Sequence, residues 1–139
     1  MALAELKLRL LKAAIGVTEE KVSLSTPFNE GMALVYDSTA GAWKAGDATS
    51  GKVPLRVVYF GYGSDRPDVM QLGQCKTIVA PCVITVSADN VITEVSGRVP
   101  TAGAGIIITG GKYAAVSGTE VPCGMCLGVK GDEYEIELY

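Results

Sequence analysis

The sequence predicts a mainly β fold, a small barrel or sandwich of about ten short, mostly antiparallel strands preceded by one N-terminal amphipathic helix. Short β-branched runs recur between Gly, Asp and Ser turns from residue 31 to the end. Hydrophobic residues make up 48% of the chain and charged residues only 19%, which argues for a packed core. A loose internal echo adds to this. Gly105-Ile106-Ile107-Ile108-Thr109, the Gly110-Gly111 turn, Lys112-Tyr113-Ala114-Ala115 and then Val121-Pro122 follow the plan of an earlier stretch. There, Gly31 to Tyr36 is the run, 37–41 the turn, Ala42-Trp43-Lys44-Ala45-Gly46 the return and Val53-Pro54 the next opening. Each copy reads as a β-hairpin followed by another apolar strand.

In chain order, residues 2–15 have helical spacing. Leu3, Leu6, Leu10 and Ala14 fall on one stripe, Leu8, Leu11 and Ile15 on a neighbouring one, and Glu5, Arg9 and Lys12 on the opposite face. Gly16 is placed to stop the helix. So short a helix must dock on something, on its own domain, a neighbouring subunit or another partner. The division expected is a docking arm at 1–16, a linker at 17–30 and a single β domain at 31–139. Candidate strands are 32–37, 42–44, 53–60, 69–74, 78–86, 91–94, 105–109, 112–116, 124–129 and 134–139. The stretch 85–93 alternates as a hairpin does, around Asp89-Asn90. In the last strand Tyr134, Ile136 and Leu138 face inward and the glutamates between them face water.

Composition narrows the function. A net charge of −3 with scattered Lys and Arg gives no footprint for nucleic acid. No apolar run approaches the roughly 20 residues that span a bilayer, and no secretory leader is expected. Cys75, Cys82, Cys123 and Cys126 read as reduced core cysteines of a protein made in a reducing cytoplasm. Val121-Pro122-Cys123-Gly124-Met125-Cys126 has the Pro-Cys-x-x-Cys form of zinc deaminases, but the chain has no His, and Thr77 and Ile84 stand where the companion Glu would follow Cys75 or Cys82. A four-thiolate zinc site needs two close Cys pairs, and residues three apart on a strand face opposite ways. Asp65, Asp68, Asp132 and Glu133 read as solvated turn residues. Gly61-x-Gly63 lacks the third glycine of a phosphate loop. The expectation is no enzyme, no cofactor and no bound metal. Partner contacts are expected from Leu3, Leu6 and Leu10 on the helix and from Asp65, Arg66, Pro67 and Asp68 in the polar loop 61–68.

An early Gly-x-x-Leu-Val run, Lys44-Ala45-Gly46-Asp47, the strand-turn-strand from Gly105 to Ala115, Gly124-Met125-Cys126-Leu127-Gly128 and a terminal acidic-apolar strand occur here in that order. In pattern and order this β portion resembles the small capsid decoration, or cement, proteins of tailed bacteriophages. The leading helix lies outside that pattern. The resemblance implies a β-barrel-like homotrimer made in the host cytoplasm and seated on the outside of the virion. There it would bind the major capsid protein and stabilise the head, a role that needs a rigid apolar scaffold and no active site. Two alternatives compete: a small β-barrel metal- or ligand-binding module using the Cys123/Cys126 region, and a binding module with Trp43, Tyr59 or Tyr62 as a stacking platform.

Overall fold

The computed structural model describes residues 8–23, 29–59 and 73–139 and, within the first strand, the side chains of Thr18, Glu20 and Lys21. Among the described residues, nine strands form one curled antiparallel sheet, a half-barrel. They are β1 (Leu8–Lys21), β2 (Ala33–Asp37), β3 (Ala42–Ala45), β4 (Arg56–Val58), β5 (Gln74–Ser87), β6 (Gly105–Thr109), β7 (Lys112–Ala115), β8 (Gly124–Lys130) and β9 (Glu133–Leu138). The spatial order is β3-β2-β4-β5-β9-β8-β6-β7, with β1 on β5.

That order is a plan used twice. In the first unit β2 and β3 form a hairpin, β4 returns beside β2, and the first half of β5 pairs with β4. In the second unit β6 and β7 form a hairpin, β8 returns beside β6, and β9 pairs with β8. The registers match: Leu34 faces both Ala45 and Arg56, and Ile106 faces both Ala115 and Gly124. Trp43 therefore corresponds to Tyr113, Tyr36 to Ile108 and Arg56 to Gly124. Even the outer bridges agree, since Val22 lies parallel to Trp43 and Val91 parallel to Tyr113. The echo noticed in the sequence is thus a duplicated topology. β5 belongs to both units: residues 77–79 pair with β4, residues 82–87 pair with β9, and a cis Ala80–Pro81 bond lies between.

Local chemistry makes the hairpins. Asp37 closes the β2–β3 turn, its carboxylate accepting from the amides of Thr39 at 3.0 Å and Ala40 at 3.3 Å. Gly110 and Gly111, with φ of 58° and 84°, make the two-residue β6–β7 turn, a conformation that other residues resist. The same turn fastens the units together. Asp47 accepts from the Gly110 amide at 2.8 Å, Gly111 donates to the Gly46 carbonyl at 3.0 Å, and Ala33 donates to Gly111. A Cβ on Gly111 would lie 2.9 Å from Met32 Cγ and 3.1 Å from Ala45 Cβ, so the units can approach only because glycine is there.

The main core lies inside the curl. Ala33, Leu55, Val57 and Ile78 of the first unit pack on Ile106, Ile108, Tyr113, Ile136 and Leu138 of the second, with Cys82, Ile84 and Val86 of β5 between them. Buried Tyr113 donates its hydroxyl to the Gly31 carbonyl at 2.9 Å, and the amide of buried Asn90 donates to the Glu30 carbonyl at 2.8 Å. A smaller cluster of Val22, Met32, Leu34, Trp43, Val58 and Cys75 sits on the opposite face of the first unit.

Several expectations change. The N-terminal helix is not supported: residues 8–21 are strand β1, crossing the expected boundary between helix and linker, and Gly16 interrupts no helix. Its partner is distant in sequence, since β1 pairs antiparallel with β5 from Leu8↔Val86 to Lys21↔Gln74. Register shifts between Leu10 and Lys12 and between Ile15 and Val17 each insert an extra residue in β1, while the shift between Ala13 and Ile15 places the extra residue in β5. The two insertions break period-two alternation in β1, so the sequence mimics a helical stripe. The alternation at 85–93 is not a hairpin. Ala88–Asn90 form a single 3-10 turn capped by Ser87, after which Val91 makes an isolated bridge to Tyr113. The final strand is as expected, with Tyr134, Ile136 and Leu138 buried and its glutamates turned outward.

Candidate interaction surface

The most concentrated polar and aromatic geometry among the described residues lies on the outside of the first unit. Cross-strand register builds it. Tyr36 and Trp43 are directly opposed on β2 and β3, Arg56 of β4 lies opposite Leu34, and Glu20 of β1 lies opposite Cys75. Residues opposed across strands share a face, so these side chains form one row. Tyr36 meets the Trp43 ring edge-on, with centroids 5.3 Å apart, and the Arg56 guanidinium carbon lies 4.4 Å from the Trp43 centroid. A cation at that distance over an indole contributes roughly 0.5–2 kcal/mol, the larger value where water is excluded.

The guanidinium is held from behind. Arg56 Nε donates to Glu20 Oε2 at 3.1 Å, and Thr18 Oγ1 donates to the same oxygen at 2.6 Å. Thr18 is in turn 3.3 Å from the hydroxyl of buried Thr77. Arg56 also donates from Nη1 to the Leu55 carbonyl at 3.3 Å. The chain of contacts runs from the sheet interior to the surface and ends at Tyr36, which is 52% exposed. Trp43 is only 7% exposed. Its ring is therefore occupied by Arg56 and Tyr36 and is not free as a stacking platform, although it anchors one. Tyr, Trp and Arg are the residue types that dominate binding energy at protein interfaces, and here the Arg is held in one orientation by Glu20, the Leu55 carbonyl and the Trp43 ring.

On the other face of this hairpin, Lys44 lies 3.6 Å from Asp37, whose carboxyl is held below its usual value chiefly by the Ala40 amide. At the β7 side of the molecule, Arg98 grips Glu120 through both nitrogens, at 2.8 and 3.0 Å. That pair, helped by the Ser117 amide, keeps the Glu120 carboxyl ionised to lower pH than usual. Exposed Val121 adjoins the same loop. It packs beside Gly51, where an added Cβ would lie 3.4 Å from a Val121 methyl.

The four cysteines are free and buried. Burial pushes the Cys75 thiol up to about 12 and those of Cys82 and Cys123 up to about 11, and it raises Cys126 as well. Each available thiol contact is to a different backbone carbonyl: Cys75 to Lys76, Cys123 to Ala48 and Cys126 to Gly128. Among the described residues, no three His, Cys, Asp or Glu side chains converge as metal ligands would. Thiols so far from ionising are also poor nucleophiles.

Of the contact residues expected from sequence, Leu3, Leu6, Asp65, Arg66, Pro67 and Asp68 lie outside the described residues, as does the side chain of Leu10, whose backbone is in β1. Tyr36, Arg56 and Glu20 were not singled out by sequence reasoning. The signal for Tyr36 was present: a turn from Asp37 to Gly41 places Ala42 opposite Asp37, and hence Trp43 opposite Tyr36. Arg56 and Glu20 depend on pairings among β4, β5 and β1 that no local pattern announces. No helix among the described residues is long and apolar enough to cross a membrane. Compared with protein families, curated proteins and solved structures, the chain matches none.

Proposed function

We propose that this protein is a structural component of a bacteriophage virion, a decoration protein that binds the outer surface of the major capsid protein lattice as a homotrimer and stabilises the head. The observation that carries the reading is the Tyr36–Trp43–Arg56–Glu20 row on a tightly fastened, duplicated β scaffold. Such a row suits binding to a protein surface, and the thiol environments offer nothing comparable for chemistry. The order of motifs along the β portion, described above, supplies the capsid as the partner. The contact surface proposed includes Tyr36 at its exposed end.

The test is co-sedimentation of the purified protein with expanded phage capsids that lack their decoration protein, with solution mass measured by light scattering on the same sample. Saturable binding and a trimer mass are the expected results. Tyr36→Ala should lower capsid affinity about 10- to 100-fold, the loss of one interface anchor, while the melting temperature stays near that of the native protein. Absence of capsid binding by the well-folded native protein would overturn the proposal, and unchanged affinity of Tyr36→Ala would remove this surface from it.

A further inference from the structure

We draw no further inference here: the strongest candidate, the outer edge of strand β1, which has no backbone partner among the described residues while both ends of the sheet are bridged, carries nothing because nothing in the structure shows what covers it.

Discussion

The two units share a strand plan and a register, yet corresponding faces have opposite fates. In the second unit Ile108, Tyr113, Cys126, Ile136 and Leu138 line the main core. Their counterparts in the first unit are Tyr36, Trp43, Val58, Thr77 and Val79, on the outer side of the sheet. The reason is geometric: the second unit lays that face on the inner surface of the first, so the first must turn its own version outward. Side-chain chemistry follows. The buried version is apolar except for the Tyr113 hydroxyl and has glycine at 124, where the outward version carries Arg56. A repeated backbone therefore does not imply a repeated site, because whichever copy is left outside is free to acquire polar and aromatic residues.

The comparison is sharpest at the aromatic pair of positions. Trp43→Ala removes the anchor beneath both Tyr36 and Arg56 and opens the small outer cluster, and should cost about 3–5 kcal/mol in urea unfolding. A loss below about 1 kcal/mol would mean that Trp43 is peripheral to the fold. Slightly smaller is the effect of Gly124→Ala. A Cβ there would collide with the Glu137 carbonyl oxygen, a backbone atom that cannot step aside, and about 3 kcal/mol is expected. Arg56→Ala, at the matching position of the outward face, makes no such clash, and equal losses at the two sites would break the assignment of faces. Next comes Tyr113→Phe, which keeps the ring but deprives the Gly31 carbonyl of its donor in a dry core, for about 1–2 kcal/mol. Unchanged stability would show that this bond between the units contributes nothing.

Last comes a shared alkaline sensitivity, which is absent near neutral pH and opens only above about pH 9. The thiols of Cys82 and Cys123 are raised from 9.0 to about 11 and that of Cys75 from 9.0 to about 12, all by desolvation, and Tyr113 is raised well above 10.0 for the same reason. These groups stay neutral in the folded protein while the unfolded chain ionises. Stability is therefore complete below about pH 9 and falls as pH rises toward the folded values. A melting temperature that does not decline between about pH 9 and 11 would contradict the burial of these groups.

How much could be read in advance follows the same division between local and distant partners. The β6–β7 hairpin was legible because Gly110-Gly111 fixes its own register, and the alternation of β9 was legible because one face is wet and the other dry. β1 was not. Its partner lies more than fifty positions away, and bulges around Leu11 and Gly16 erase the period that would have marked it as a strand. The stretch after Ser87 misled for the opposite reason, since its alternation is real but Ala88–Asn90 coil into a 3-10 turn and Asn90 is spent on the Glu30 carbonyl. At the candidate surface, Trp43 stood out as the single tryptophan, whereas Arg56 acquires meaning only once β4 has brought it over that ring.

One strand, β5, is the last strand of the first unit and the first long strand of the second, and β1 lies along its whole length. Neither unit can release its half of β5 without loosening the ladder that the other half continues. The described strands of a molecule built this way offer no seam at which one repeat would breathe alone, so hydrogen exchange in both repeats should follow one rare opening, with the slowest amides expected in β5.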